Sequence, residues 1–178
     1  TAQIANGGYA IKPKIIVDSN PISYEDAKQS MESGLLFDTD SEELLDKKLF
    51  KNQKNIKIVQ EAMFASTNER FGTSYKSRID DPKYQFAGKT GTAQVKRISK
   101  RERELDLELE QIPYKDRDHA LYVAYGPYVN PRYALSIIVE HGGSGSKAAA
   151  PIAKKLFKLI IDRHDLRNKQ SNFERITV

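Results

Sequence analysis

One short run of small residues around a single lysine decides the fold of this chain. It reads Ala87-Gly88-Lys89-Thr90-Gly91-Thr92-Ala93-Gln94 and lies within residues 84–95, whose pattern predicts a β-strand. Lys89 supplies a fixed cation for a carboxylate, and the Thr90 hydroxyl can donate a hydrogen bond to the same group. Gly91 has no side chain, so a ligand can lie against the backbone, where the N–H of Thr92 would face a developing oxyanion. The alternative is a surface strand with an incidental lysine.

Two more strands are predicted downstream of this run. Residues 121–125 and 133–140 are apolar, and the second segment reads Tyr-Ala-Leu-Ser-Ile-Ile-Val-Glu. Gly126-Pro127 begins a turn between them, and Asn130-Pro131 closes it. Two strands joined by a short turn predict an antiparallel hairpin.

A helix is predicted after a glycine-rich turn at residues 142–146. Pro151 fits the first helical turn, where a missing N–H is tolerated. Four apolar residues recur at helical spacing and predict one buried stripe: Ile152, Leu156, Leu159 and Ile160. From Asp165 onward we expect a polar tail.

The N-terminal third is more polar. Residues 1–8 match the last turn of a helix closed by Asn-Gly-Gly, so we expect the chain to be cut from a longer protein. Residues 9–17 look extended, and residues 18–55 are predicted to be a polar surface insertion. Residues 56–68 have the spacing of a short amphipathic helix, which Phe71-Gly72-Thr73 ends.

Composition narrows the function classes. The chain has 178 residues, enough for one domain, and 30% are charged, with a net charge of +5. Basic residues are mixed with acidic ones, so no nucleic-acid partner is predicted. No cysteine is present, and His119, His141 and His164 are scattered, so we predict no metal and no cofactor. No segment is apolar enough to span a membrane.

A second polar insertion is expected at residues 96–118, with a short exposed helix over residues 97–111.

The setting of the lysine run resembles the transpeptidase domain of penicillin-binding proteins, most closely the class B penicillin-binding protein 2 family. These enzymes, of the serine D,D-transpeptidase and β-lactamase-like superfamily, carry Ser-x-x-Lys, Ser-x-Asn and Lys-Thr-Gly motifs. The matching segments stand in the family's order: Ala5-Asn6-Gly7-Gly8, Ala87-Gly88-Lys89-Thr90-Gly91-Thr92-Ala93-Gln94-Val95, Asp118-His119-Ala120, Gly126-Pro127, Asn130-Pro131, Val139-Glu140-His141-Gly142-Gly143 and Ala149-Ala150-Pro151-Ile152-Ala153.

The resemblance implies an α/β fold of the α+β type, a partial transpeptidase fold with an antiparallel sheet and a C-terminal helix packed on it. Residues 1–165 would be the C-terminal portion of the domain, and residues 166–178 a polar tail. By analogy, Lys89, Thr90, Gly91 and Thr92 are the substrate-binding residues, and Lys89 and Thr90 hold the carboxylate of a stem peptide or a β-lactam. The backbone N–H of Thr92 then supplies half of the oxyanion hole.

The nucleophile is expected to be absent from this chain. In the family, Ser-x-x-Lys and Ser-x-Asn precede Lys-Thr-Gly. The formal matches here, Ser144-Gly145-Ser146-Lys147 and Ser66-Thr67-Asn68, stand at positions that the resemblance makes structural, and we interpret both as coincidental. The parent protein is thus expected to be a serine-type D-Ala-D-Ala transpeptidase that cross-links peptidoglycan, and this chain alone to be inactive.

Location and partners follow from the resemblance. It implies the periplasmic face of the bacterial inner membrane, with an anchor that is not in this chain, and cell-wall elongation proteins as candidate partners. In the family's five-stranded sheet, the strand matching residues 133–140 is central. We therefore expect the isolated chain to expose it as an edge and to self-associate there.

Two other functions remain open. The strand, glycine-rich turn and helix around residues 142–146 are typical of an anion-binding module. A P-loop, however, needs Gly-Lys followed by Ser or Thr, whereas Gly145 is followed by Ser146 and Lys147. The charged residues 97–118 and the tail are alternatively a non-catalytic interaction module.

Overall fold

The computed structural model describes residues 1–11, 48–96 and 107–176, with side chains to residue 169. Within this part of the chain the contacts divide it into two units, Ala2–Ile58 and Val59–Val178. The predicted extended segment beyond residue 11, most of the 18–55 insertion and residues 97–106 lie outside the described residues.

The N-terminal unit begins with the predicted helix end. Helix α1 spans Ala2–Ala5. The Asn6 side-chain oxygen then accepts hydrogen bonds from the backbone N–H groups of Gly8 and Tyr9, at 3.2 and 3.1 Å. Gly7 and Gly8 have φ values of +84° and +91°, a left-handed backbone that glycine adopts without strain. The Asn-Gly-Gly prediction is therefore confirmed.

Helix α2 spans Gln53–Asn68 and contains the amphipathic segment predicted at residues 56–68. Its end is fixed by the turn that follows, where the N–H of Ser74 donates to the carbonyl of Ser66 at 3.0 Å. A Cβ atom on Gly72 would stand 2.5 Å from the Ala65 carbonyl oxygen, so only glycine lets the turn fold back on the helix.

Three antiparallel strands form one sheet in the described part of the chain. They are β1 at Ala87–Ala93, β2 at His119–Gly126 and β3 at Tyr133–Val139, in the order β1-β2-β3. The register sets Lys89 opposite Val123. The predicted hairpin is confirmed, but β1 is shorter than the predicted strand at residues 84–95, because Tyr84 already closes a turn onto the Asp81 carbonyl.

Helix α3 spans Ala150–Ile176 and follows one π-helical turn at Gly145–Ala149. The helix continues through the segment from Asp165 onward, which the sequence predicted only as a polar tail, and ends at Ile176. Short 3₁₀ turns lie at Tyr75–Ser77, Leu109–Gln111 and Tyr114–Asp116. Of the exposed helix predicted over residues 97–111, only the second of these turns falls in the described residues.

The buried stripe of α3 also differs from the prediction. Ile152 and Leu159 are 39% and 63% exposed, whereas Ala153, Phe157 and Ile161 are fully buried. Small alanines bring the helix backbone close to the sheet, which leaves room for one large ring. That ring, Phe157, stacks on Phe86 with centroids 4.8 Å apart. The face of α3 that packs on the sheet is therefore the one that carries Ala153, Phe157 and Ile161, not the predicted stripe through Ile152 and Leu159.

The main core lies between the sheet and α3. Its fully buried members are Phe86, Ala120, Tyr122, Ala124, Ala149, Ala150, Ala153, Phe157 and Ile161. Each large apolar side chain contributes about 1.5–3 kcal/mol by burial. The architecture is the expected mixed fold, an antiparallel sheet covered by a C-terminal helix. Among the described residues, no helix is both long and apolar enough to cross a membrane.

Candidate functional site

The lysine run occupies β1, which is an edge of the described sheet. Lys89 and Thr92 are exposed, and Thr90 and Gly91 are half-buried. The Lys89 ammonium donates a hydrogen bond to the carbonyl of Thr90 at 2.9 Å and lies 3.4 Å from its hydroxyl. In the described part of the chain no carboxylate pairs with Lys89. The strand therefore presents a cation and a hydroxyl side by side beside an open backbone at Gly91.

A buried cluster of hydroxyl groups lies beneath β1. The Tyr122 hydroxyl is 2.9 Å from the Thr67 hydroxyl and 3.1 Å from that of Ser74, and the last two are 3.3 Å apart. Burial raises the pKa of Tyr122, and its hydrogen bonds to Ser74 and Thr67 oppose that rise. A side chain on Gly88 would overlap the Tyr122 hydroxyl. The hydroxyl cluster therefore sets how closely β1 packs on the core.

The end of α2 positions the start of β1. The Asn68 side-chain amide donates to the carbonyl of Phe86 at 2.9 Å, and the Thr67 hydroxyl donates to that of Gly88 at 3.5 Å. Two of the three residues in the formal Ser66-Thr67-Asn68 match thus bond the backbone of the lysine strand. Both residues therefore support the lysine strand.

The Thr90 side chain has one partner that the sequence did not reveal. Its hydroxyl lies 3.2 Å from the hydroxyl of Thr73, which lies 3.3 Å from that of Ser66. Thr73 comes from the turn after α2, and no motif or periodicity marks it. The contact arises only because that turn folds against β1.

The other formal match lies behind the strand. Gly145 is buried, and a Cβ atom there would stand 2.8 Å from the Gly91 carbonyl oxygen. The backbone N–H of Ala148 donates to the Ser144 carbonyl at 2.9 Å, and the Ser144 hydroxyl bonds that of Ser146 at 3.0 Å. Ser144 and Lys147 thus belong to the turn into α3.

Two histidines have structural contacts. Nδ1 of His119 accepts a hydrogen bond from the backbone N–H of His141 at 3.0 Å, and Nδ1 of His141 lies 3.0 Å from the Arg117 carbonyl oxygen. His164 packs against the ring of Tyr133. Within the described ranges no cluster of histidine and acidic side chains is suited to a metal ion.

Comparison with known proteins gives a consistent result. The family model described as the penicillin-binding protein transpeptidase domain matches residues 1–158. The peptidoglycan D,D-transpeptidase MrdA of Salmonella typhimurium strain SL1344 is 37% identical over 105 residues, 59% of this chain and 16% of that protein. MrdA of Haemophilus influenzae is 36% identical over 101 residues, 57% of this chain and 15% of that protein. The chain therefore spans about one sixth of the length of these relatives.

A solved structure shares the fold. The crystal structure of Pseudomonas aeruginosa PBP2 in complex with WCK 5153 matches with a TM-score of 0.56 and 27% identity. The match covers 89% of this chain and 28% of that one.

Proposed function

The chain belongs to the penicillin-binding protein transpeptidase domain family, and on that premise we propose that it forms part of a peptidoglycan D,D-transpeptidase similar to penicillin-binding protein 2. The observation that carries the proposal is the Lys89-Thr90 pair on an edge strand. A cation and a hydroxyl stand next to an unobstructed backbone, without a carboxylate from the described residues to neutralise the cation.

The reaction is an acyl transfer that this chain serves by binding and orienting the donor. Lys89 and Thr90 hold the carboxylate at the D-Ala-D-Ala end of a stem peptide. A serine from outside this chain, activated by a lysine one helical turn on, attacks the peptide carbonyl. The N–H of Thr92 stabilises the oxyanion together with the N–H of that serine. The peptide bond breaks and the terminal D-alanine leaves as its free amine, which gives a serine ester. An amine of a neighbouring stem peptide then attacks this ester, forms the cross-link and releases the serine, and a β-lactam imitates the donor.

The contributions of these groups to the acyl transfer can be ranked by their free energies. Removal of one oxyanion-hole donor costs about 2.7–4 kcal/mol in other enzymes. A hydrogen bond to a charged group contributes about 1.5–3 kcal/mol. The nucleophile outweighs both, because without it no covalent route exists. The 178-residue chain alone is accordingly proposed to be inactive and to form no stable penicillin adduct.

The cellular setting follows from the same premise. We infer a location at the periplasmic face of the bacterial inner membrane and cell-wall elongation proteins as partners. Both rest on similarity to MrdA-type enzymes.

The decisive experiment uses the native host. Its membranes are labelled with fluorescent penicillin, and the gel is probed with an antibody raised against this chain. The expected result is a penicillin-labelled band that the antibody recognises and that is much larger than 20.2 kDa. An unlabelled 20.2 kDa band alone would overturn the enzymatic proposal.

The role of Lys89 is tested in the host's own copy of the gene. Lys89→Ala should slow acylation by fluorescent penicillin about 10- to 100-fold, the range that a lost charge-assisted hydrogen bond implies. Lys115→Ala removes an exposed lysine outside β1 and should acylate at the parent rate. Equal rates for both variants would contradict the assignment of Lys89.

Incubation of the isolated chain with a β-lactam tests the missing nucleophile. Intact-mass analysis should show the unmodified chain. A stoichiometric adduct on any serine would show that a nucleophile is present.

A further inference from the structure

A second concave surface lies in the Val59–Val178 unit, between the turn that follows α2 and the start of α3. It is a half-open depression of about 760 Å³. We call it the basic groove, because six cationic side chains line it: Arg70, Lys76, Lys147, Lys154, Lys155 and Lys158. None of Lys89, Thr90, Gly91 or Thr92 lines it, so it is separate from the proposed substrate strand.

The basic groove has no acidic residue in its lining within the described part of the chain. None of its six cations forms an ion pair with a described residue. Lys83 shows the contrast, since its ammonium bonds Asp162 at 3.1 Å and Asp165 at 3.0 Å. Asp162 is the acidic group whose pKa Lys158 helps to lower, but Tyr84 and Lys83 already bond it.

Concentrating six like charges in one cavity raises the local potential and works against folding. An anion bound there would relieve the repulsion. A site with this cost and no internal counter-charge is typical of anion recognition.

Neutral donors complete the lining. Four hydroxyl-bearing residues also line the groove: Thr73, Tyr75, Ser77 and Ser146. Pro151, Lys154, Lys155 and Lys158 come from one side of α3, so the first turns of this helix form one wall of the groove. Arginine offers a planar fork of donors and lysine a point charge, the combination with which proteins bind phosphate oxygens.

We propose that the basic groove binds a small phosphate polyanion of the pyrophosphate or diphosphate-ester class. Its volume lies within the range of small-ligand pockets, about 300–1,000 Å³. A half-open depression of this size has room for a compact ligand, whereas a flat anionic lipid surface would contact mainly its rim. This inference goes beyond the proposed transpeptidase role and does not depend on it.

Thr73 connects the two sites. Its side chain lines the basic groove, and its hydroxyl bonds the Thr90 hydroxyl at 3.2 Å. A ligand in the groove that draws this hydroxyl toward a phosphate oxygen would take a hydrogen-bond partner from the substrate strand.

The test titrates pyrophosphate into the 178-residue chain by calorimetry, with sulfate as the comparison anion. Pyrophosphate should bind more tightly than sulfate and raise the thermal midpoint, since a ligand that binds only the folded state stabilises it. Lys147→Gln combined with Lys154→Gln should weaken binding at least about tenfold. The matched control combines Lys115→Gln with Lys169→Gln, two lysines outside the groove, and should change affinity less than about twofold.

Two further measurements distinguish a small phosphate ligand from a lipid headgroup and detect variants that do not fold. Binding to vesicles that contain phosphatidylglycerol, without competition by pyrophosphate, would overturn the proposal in favour of a membrane surface. So would equal losses in the groove and control variants, or pyrophosphate binding no tighter than sulfate. Circular dichroism checks that each variant is folded, and Lys158→Gln, a single exposed change, repeats the test should the double variant unfold.

Discussion

Gly145 lies against the backbone of Gly91, so closely that a Cβ atom at position 145 would stand 2.8 Å from the Gly91 carbonyl oxygen. The turn into the C-terminal helix therefore braces the strand that carries Lys89 from behind. Neither glycine has a positive φ. The close approach to the carbonyl oxygens of Leu121 and Gly91, rather than backbone strain, requires glycine at position 145.

Gly145→Ala should destabilise the chain by about 1–3 kcal/mol, the usual cost of overpacking a site where backbone cannot yield. Gly91→Ala is the control, because its Cβ would meet the Leu121 Cβ at 3.4 Å and fit with a small adjustment. Urea unfolding of both variants measures the difference. Equal midpoints for Gly145→Ala and the parent chain would refute the bracing role.

Tyr122→Phe should cost about 1–2 kcal/mol of unfolding free energy. The change removes the hydroxyl that bonds Thr67 and Ser74 inside the protein. The cost stays near the lower limit because Thr67 and Ser74 keep each other as partners at 3.3 Å. Chemical denaturation gives the value, and a stabilised variant would show that the cluster does not hold β1.

Alkaline pH should destabilise the fold through its buried tyrosines. Burial raises the pKa of Tyr122 and of Tyr125 above the ordinary phenol value of 10.0. The folded state then holds protons that the unfolded state releases, so stability is fully present below about pH 10 and falls as pH rises above it. Unfolding curves measured from pH 8 to 12 should show this loss, with a shallower slope in Tyr122→Phe. A flat profile in the parent chain would contradict the prediction.

The isolated chain should self-associate along β3. In the described residues this strand pairs with β2 alone, and Ile138 on it is 62% exposed. Ile138→Lys should lower the weight-average mass from light scattering toward that of a monomer, because charged side chains protect open strand edges. Leu159→Lys replaces an equally exposed apolar residue on α3 and should leave association unchanged. A parent chain that is monomeric at every concentration would exclude this edge as an interface.

The elements that the sequence predicted well have local causes. Asn6-Gly7-Gly8 ends α1 through hydrogen bonds within three residues, and the turn from Gly126 to Pro131 joins the two strands of the hairpin. Such sequence patterns depend on residues that are close along the chain, so they can be recognised without knowledge of the tertiary structure. The Lys89 run is also local, and with it the family was identified from the sequence.

Helix α3 shows where local reasoning failed. Its periodic large apolar residues predicted a buried stripe through Ile152 and Leu159, yet Ala153 and Phe157 meet the sheet. Side-chain shape decides which face of α3 packs on the sheet. Small side chains allow the helix to approach, and the Phe157 ring fills the remaining gap against Phe86.

The sequence by itself therefore determined the motif, the hairpin, the helix end at Asn-Gly-Gly and the family. Only the tertiary structure decided how the Lys89 strand is held. Thr67 meets Tyr122 across 55 positions, Thr73 meets Thr90 across 17, and Gly145 packs on Gly91. It also gathered six cations from two distant segments into one groove. Contacts of this kind form when separate segments are packed to fill space and satisfy buried polar groups, a condition that no local pattern records.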